Sequence, residues 1–150
     1  MILKYPPILQ VFVSVAIAWA IQSYLPQFSV PIPFGNWIAA SFCVTGVAIT
    51  SVAVGIFASN KTTINPVQPE QASNLVTGGL YRISRNPMYL GLVLIITGFV
   101  IWFENIAGIA SIVLFILTMT LFQIKPEEKV MQAKFGEAYE TYRRRVRRWI

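Results

Sequence analysis

Two arginines and an Asn-Pro step stand directly before an apolar run, in the stretch LYRISRNPMYLG at residues 80–91. Asn86 is a favourable N-cap residue and Pro87 a favourable first helical residue, so a helix is predicted to begin here. The free N–H groups and positive dipole end of such a helix attract anions. Arg85 adds a guanidinium that can hold a carboxylate or phosphate through two hydrogen bonds. The stretch therefore predicts an anion-binding site.

Two adjacent carboxylates, Glu127 and Glu128, follow the last apolar run of the chain. If they return to the same membrane face as Arg85, an anion site, carboxylates and tyrosines meet in one place. Such a site suits a zwitterionic ligand. The alternative is that Arg82 and Arg85 only obey the positive-inside rule and that the Asn-Pro step only begins a helix.

The chain contains no histidine and a single cysteine, Cys43, which lies inside an apolar run. The missing imidazole excludes a histidine base, a zinc-histidine site and a Ser-His-Asp triad. One cysteine cannot form an internal disulfide and gives no metal-ligand spacing. We therefore predict no metal site and interpret Cys43 as a small packing residue.

The elements that must position these residues are membrane helices. Of the 150 residues, 55% are hydrophobic and only 12% are charged, whereas roughly a quarter are charged in a soluble domain. We predict an all-α, polytopic membrane protein with about four transmembrane helices, the last two joined by a tight hairpin through Glu104 and Asn105. The predicted spans are residues 8–25, 37–58, 88–103 and 106–122.

The basic residues predict the orientation of these helices. Lys4 precedes the first helix, Lys61, Arg82 and Arg85 lie between the second and third, and the tail holds eight of the twelve Lys and Arg. Both termini and the loop 59–86 are therefore expected to face the cytoplasm. That arrangement would let the loop and the tail meet.

The tail from Pro126 predicts an amphipathic cytoplasmic helix, because apolar residues recur there at three- and four-residue steps. Glu127 and Glu128 lie near its positive dipole end and five arginines near its negative end. Gly136 is a candidate break. A purely interfacial role, with the arginines on anionic headgroups, is the competing interpretation.

Two blocks together carry a family resemblance: LVTGGLYRISRNPMYLG at 75–91 and PEEKVMQAKFGEAYETYRRRV at 126–146. They resemble the isoprenylcysteine carboxyl methyltransferase family and its relatives, the membrane phospholipid methyltransferases. The similarity covers about residues 60–150. It implies one membrane-embedded methyltransferase domain over 1–150, in which 1–58 form two helices and 59–150 the cofactor-binding loop, a transmembrane hairpin and the C-terminal helix.

The resemblance also implies an S-adenosylmethionine cofactor at the cytoplasmic face and a lipid-like or prenylated acceptor from the bilayer. Arg85 would hold the cofactor carboxylate, and Tyr81 would flank the adenine. Carried over by motif, the cofactor-binding residues are Ser73, Asn74, Leu75, Val76, Tyr81, Asn86, Pro87, Met88, Tyr89 and either Glu127 or Glu128. The catalytic candidates are Arg85, Asn86 and Tyr89. Eukaryotic members have Arg-His-Pro where this chain has Arg85-Asn86-Pro87, so no imidazole role carries over.

Two other functions stay open at this stage. One is a non-enzymatic membrane protein whose basic tail binds anionic lipid or a partner. The weaker one is a membrane reductase with a nicotinamide cofactor, because some such enzymes share a similar C-terminal region. For a methyltransferase, the acceptor stays open among prenylated cysteine carboxylates, phosphatidylethanolamine-type amines and small thiols or carboxylates. Nucleic acid is not an expected partner.

Overall fold

A computed structural model describes residues 6–59 and 74–150, and Ser73 lies outside the described residues. The described chain is helical and contains no strand, which confirms the predicted fold class. Three stretches are long and apolar enough to cross a membrane, and a fourth helix of 16 residues is apolar but shorter. The helices are α1 (Pro7–Tyr24), α2 (Gly35–Ser59), α3 (Pro87–Trp102), α4 (Ile109–Thr118) and α5 (Lys125–Arg145).

Helices α1 to α4 run alternately in opposite directions, so the bundle has two distinct ends. What we call the charged end contains the beginnings of α1, α3 and α5. What we call the opposite end contains the loops 25–34 and 103–108. The candidate residues named above lie at the charged end.

Helices α2 and α3 are in backbone contact, because glycines replace side chains along their interface. A Cβ added at Gly98 would lie 2.5 Å from Sγ of Cys43 and 2.8 Å from the carbonyl oxygen of Ala39. A Cβ at Gly91 would collide with the Thr50 hydroxyl and lie 2.6 Å from the carbonyl oxygen of Gly46. Small residues allow this approach between membrane helices. The contact fixes α3, and with it the position of Arg85, Asn86 and Tyr89.

The other face of α3 packs against α1 and α4 in the main apolar core. Phe115, Met119 and Ile96 are essentially inaccessible to solvent there. The buried members of this core are Val11, Ala18, Tyr89, Leu92, Ile96, Val100, Phe115, Met119 and Ile124. Tyr89 therefore belongs to the core through its ring and to the charged end through its hydroxyl.

The predicted tail helix is present as α5, with Pro126 in its first turn, and it follows the fourth helix directly. A π-helical segment, Met119–Ile124, joins α4 to α5 without a break. The N–H of Lys125 donates to the carbonyl oxygen of Thr120, five residues back. Pro126 has no N–H to donate and its ring crowds the preceding turn, and the wider π-helical turn accommodates it.

Only the first part of this long helix belongs to the hydrocarbon region. The stretch Ile106–Arg145 contains 40 residues, which corresponds to roughly 60 Å, about twice the thickness of the bilayer core. Its apolar part ends at Ile124, and Lys125, Glu127, Glu128 and Lys129 follow at once. Helix α5 therefore lies outside the membrane-spanning segment. As expected, Gly136 interrupts it, with φ 52° and ψ −124°.

The opposite end is closed by the predicted hairpin at Glu104 and Asn105. Glu104 adopts a positive φ of 50°, and its carboxylate accepts a hydrogen bond from the N–H of Ile32 at 3.2 Å. The amide of Asn105 donates to Oε1 of Gln22 at 2.9 Å and to the carbonyl oxygen of Leu25 at 3.0 Å. Its Oδ1 accepts from the N–H of Ala107 at 3.0 Å. These bonds tie the two loops together.

Candidate active site

The start of α3 is held by backbone that comes from the far end of the chain. The N–H of Arg85 donates to the carbonyl oxygen of Arg147 at 3.0 Å. The amide of Asn86 donates to the carbonyl oxygen of Arg148 at 2.9 Å. Asn86 does occupy the N-cap position, but its side chain makes no capping bond. The predicted N-cap position is thus confirmed, and the side chain of Asn86 binds the carbonyl oxygen of Arg148 and not the helix end.

Arg85, Glu128 and Arg148 form a nearly buried ionic cluster. Nη2 of Arg85 lies 3.0 Å from Oε1 of Glu128, and the two side chains are only 9% and 12% exposed. Arg148 reaches the same carboxylate with two hydrogen bonds, from Nε at 2.9 Å and from Nη2 at 2.7 Å. One carboxylate thus faces two guanidinium groups. The cluster carries a net positive charge.

Arg85 keeps hydrogen-bonding capacity that the described chain does not use. Its Nε and Nη1 are buried and have no hydrogen-bond partner among residues 6–59 and 74–150. A buried polar group without a partner costs roughly 1–3 kcal/mol, and more when it is charged. Native proteins leave few such groups unexplained. Two orphaned donors on one guanidinium are what an anionic ligand would require.

Glu127 has a different environment from its neighbour Glu128. It accepts a hydrogen bond from the hydroxyl of Tyr89 at 2.8 Å and another from the amide of Gln123. Burial raises the pKa of Glu127 to about 7, although both hydrogen bonds act in the opposite direction. In the described part of the chain no Lys or Arg forms a salt bridge with it. Of the two adjacent glutamates, Glu127 is therefore the one without a cationic partner among residues 6–59 and 74–150.

Aromatic and apolar side chains surround these charges. Tyr81 is buried with Val76 and packs with Met88, and its ring centroid lies 5.0 Å from that of Phe57. The hydroxyl of Tyr142 donates to the carbonyl oxygen of Tyr81 at 2.7 Å. Burial, then Tyr142 and Glu127, raise the pKa of Tyr81. Tyr81 therefore connects residues of α2 and α3 with Tyr142 of α5.

A second apolar cluster lies on the α5 side. It contains Tyr139, Tyr142 and Val146, against which Leu75 packs. Burial and the charge of Glu128 raise the pKa of Tyr139, whereas the charges of Arg85 and Arg143 and a polar contact with the Arg85 side chain lower it. Tyr139 is thus close to the ionic cluster. The tail helix supplies aromatic surface as well as charge.

Three polar residues of the site were missed by sequence reasoning: Gln123, Gln132 and Arg148. The amide of Gln132 donates to the carbonyl oxygen of Gly136 at 3.2 Å, while its buried Oε1 has no partner in the described residues. Gln123 and Gln132 each lie four residues from a glutamate, on the same helix face, so helical spacing could have indicated them. No local signal indicates Arg148, because its contacts span more than 19 residues.

The described structure brings most predicted residues together. Arg85 contacts Glu128, Tyr89 contacts Glu127, and Val76, Tyr81 and Met88 share one cluster. Pro87 is buried, and Asn74 is exposed. The cofactor-binding and catalytic roles of these residues stay predictions.

A family model described as "Phospholipid methyltransferase" matches residues 34–138 of this chain, which includes α2, α3, α4 and both glutamates. The chain belongs to the phospholipid methyltransferase family. This family lies within the isoprenylcysteine carboxyl methyltransferase-like group, so the resemblance seen in the sequence is confirmed. The protein is a multi-pass membrane methyltransferase, and hence an enzyme.

One relative in Haemophilus influenzae, described as "Uncharacterized protein", is 40% identical over 63 residues. The match covers 42% of this chain and the whole of that protein. No solved structure matches this chain. The family assignment therefore comes from the family model, and the site geometry from this structure.

Proposed function

We propose that the protein is an S-adenosylmethionine-dependent methyltransferase whose cofactor binds at the charged end, between the start of α3 and α5. The observation that carries this proposal is Arg85. It is buried, fixed by Glu128, and has two donors without a partner in the described chain. The methionine carboxylate of the cofactor is an anionic acceptor of the kind that unpaired donors of a buried guanidinium bind.

The remaining groups fit the rest of the cofactor. Glu127 has no cationic partner within the described residues, so it is the better of the two glutamates for the cofactor's ammonium. Gln132 offers a buried acceptor to a hydroxyl or amino donor. Tyr81, Val76 and Leu75 offer apolar surface to the adenine ring. Each class of group on the cofactor thus has a chemically matched residue.

When bound, S-adenosylmethionine supplies a methyl group already activated by its sulfonium. The chain's own residues therefore need to orient and desolvate rather than supply a strong base. Arg85 and Glu127 hold the ligand at two points, and the tyrosines around them exclude water. Proximity and orientation of this kind can be worth roughly 7–11 kcal/mol. A histidine-free methyltransferase is consistent with this chemistry.

The acceptor we propose is amphiphilic, either a lipid or a prenylated cysteine carboxylate, and reaches the site from the bilayer. The support is the location of Tyr89, whose ring lies in the apolar core and whose hydroxyl contacts Glu127. A molecule with an apolar chain and a polar head would find an apolar and a polar environment side by side at Tyr89. Membrane lipids themselves are the second expected partner.

We further propose that both termini and the site face the cytoplasm. The basic residues at the charged end support this orientation, since cytoplasmic segments of membrane proteins are enriched in Lys and Arg. The exposed side chains of Arg82 and Arg144 lie at this end, whereas Glu104 lies at the other. Labelling of cysteines introduced at Arg82 and Ile106, in intact cells, tests it: only the latter should react with an impermeant reagent.

Binding of S-adenosylhomocysteine to the purified protein in detergent is the decisive experiment. Calorimetry should give saturable, one-site binding, and the ligand should raise the thermal unfolding temperature. Absence of saturable binding by a folded, monodisperse sample would refute the cofactor assignment. Saturable binding of a nicotinamide dinucleotide, together with no binding of adenosyl ligands, would favour a reductase.

Product analysis with methyl-labelled cofactor then separates the acceptor classes. A base-labile methyl ester would identify a carboxylate acceptor, whereas a base-stable N-methyl product would identify an amine such as phosphatidylethanolamine. Transfer only to water-soluble acceptors would contradict the proposed lipid-like substrate.

A further inference from the structure

Arg148 makes more hydrogen bonds to Glu128 than Arg85 does. Its Nε lies 2.9 Å from Oε1 and its Nη2 lies 2.7 Å from Oε2, whereas Arg85 contributes a single contact of 3.0 Å to Oε1. Both oxygens of the carboxylate are therefore occupied by Arg148. Arg85 is left bound at one edge only, with Nε and Nη1 unpaired in the described chain.

The backbone around Arg148 is tied to the rest of the site. Its carbonyl oxygen accepts the amide of Asn86 at 2.9 Å, and that of Arg147 accepts the N–H of Arg85 at 3.0 Å. On its other side, the indole N–H of Trp149 donates to Oγ1 of Thr120 at 3.2 Å. The guanidinium of Arg148 is thus presented to Glu128 from a fixed segment.

From this geometry we infer that Arg148 is a positioning residue for the cofactor carboxylate. It occupies Glu128 so that Nε and Nη1 of Arg85 remain available to the ligand. The inference rests on the proposed function, because it takes the methionine carboxylate as the anion that Arg85 holds. It adds a role that lies outside the two blocks which carried the family resemblance.

The physical reason is competition for one guanidinium. A carboxylate and a guanidinium prefer to pair through two parallel hydrogen bonds. Without Arg148, Glu128 would be free to take Arg85 in that two-pronged way and remove Nη1 from the ligand. The site would also lose one positive charge. Both changes disfavour an anionic group on the ligand, and neither acts on the adenosine part.

The test compares two ligands that differ only in the carboxylate: S-adenosylhomocysteine and its decarboxylated analogue. Both affinities are measured by calorimetry in detergent for the wild-type protein, for Arg148→Gln and for the matched control Arg147→Gln. Arg147 is adjacent, and its side chain is exposed. For Arg148→Gln we expect S-adenosylhomocysteine affinity to fall by about tenfold or more, the value of one charge-assisted hydrogen bond. The analogue's affinity and the control should be unchanged.

The outcomes separate this inference from the proposed function. If wild-type protein binds neither ligand, the cofactor assignment itself fails. If it binds both but Arg148→Gln weakens them equally, or weakens neither, the positioning role is overturned. If Arg148→Gln does not fold, Arg148→Lys decides, since it keeps the charge and loses the two-pronged contact. A loss confined to S-adenosylhomocysteine then supports the inference, and any other pattern overturns it.

Discussion

The two ends of the helix bundle both bury polar side chains, but they use them differently. At the opposite end, Asn105 bonds with Gln22, with the Leu25 carbonyl and with the Ala107 N–H, and Glu104 binds the N–H of Ile32. At the charged end, Arg85 and Gln132 keep buried atoms that no described residue satisfies. The named polar side chains at the opposite end form their hydrogen bonds within the chain, whereas at the charged end some buried polar atoms have no partner among the described residues.

This difference separates structural polarity from functional polarity in a small membrane protein. A polar group that pairs within the chain stabilises the fold, whereas an unpaired buried donor is costly until a ligand satisfies it. Charge alone does not make the distinction, because a glutamate occurs at each end. The distinction lies in whether the hydrogen-bonding capacity is used.

The largest effect is expected from Arg85→Gln at the charged end. Loss of the charge and of both ligand-facing donors should lower S-adenosylhomocysteine affinity by about 100-fold, measured by calorimetry. The fold should persist, since Glu128 keeps Arg148. Arg82→Gln, an exposed arginine three residues earlier, is the matched control and should bind normally. If Arg85→Gln bound the ligand as tightly as wild type, the unpaired donors of Arg85 would not be ligand contacts. The proposed functional difference between the two ends would then be wrong.

Asn105→Ala tests the opposite end and should have the reverse pattern. It removes the bonds to Gln22, to Leu25 and to Ala107. We expect a loss of about 2 kcal/mol of stability, seen as a drop of roughly 5 °C in the thermal unfolding temperature. The folded protein should bind S-adenosylhomocysteine as tightly as wild type. Weaker binding at unchanged stability would show that this end also serves the ligand.

Glu127→Gln should remove a pH dependence that the wild-type protein has. Burial raises the pKa of Glu127 to about 7, and the cofactor's ammonium favours the ionised form, so binding releases a proton. Wild-type affinity should therefore rise by about tenfold between pH 6 and pH 8. In the variant it should stay low and nearly flat. Titrations at pH 6, 7 and 8 measure this, and a parallel rise in both proteins would contradict the role of Glu127.

The same pKa shift makes an opposite prediction for the ligand-free protein. The folded state holds its proton up to about pH 7, whereas the unfolded state releases it near the ordinary value for Glu, about 4.3. Stability from this group is therefore present at low pH and is lost as pH rises through that window. The unfolding temperature of wild type should fall from pH 5 to pH 8 more than that of Glu127→Gln.

The smallest effect is expected from Gln132→Leu. It removes the unpaired Oε1 acceptor and the hydrogen bond to the Gly136 carbonyl. Because only one neutral acceptor is lost to the ligand, S-adenosylhomocysteine affinity should fall by about fivefold. Ala133→Leu, at the exposed neighbouring position, is the control. If Gln132→Leu bound S-adenosylhomocysteine as tightly as wild type, Gln132 would not be a ligand contact. Among the described residues, the unpaired ligand-binding atoms at the charged end would then be those of Arg85.

Much of this fold could be predicted from the sequence because membrane helices are specified by local composition. The apolar runs predicted the four helices α1 to α4, and the Asn86-Pro87 step predicted where α3 begins. The proximity of Arg85 to the glutamate pair was expected as well, because charge placement puts both stretches at one end, but the direct ion pair with Glu128 was not. These features depend on residues close together in the chain or on one rule of orientation.

The rest depends on contacts between distant residues. Nothing near Asn86 in the sequence indicates that its amide binds the carbonyl of Arg148 rather than capping α3. The proposed assignment of Glu127, rather than Glu128, to the cofactor's ammonium depends on Arg148, which occupies Glu128. The continuous helix through Pro126 depends on a π-helical segment that has no strong composition signal.

That π-helical segment also sets an angular register. A single residue turns an α-helix by about 100°, so the wider segment Met119–Ile124 decides which direction α5 presents Glu127 and Glu128. If the same residues formed a regular α-helix, both carboxylates would be rotated by about 100° away from Arg85 and Tyr89, with hydrophobicity and charge intact. The wide turn thus acts as a built-in correction of helix phase between the apolar helix and the glutamate pair.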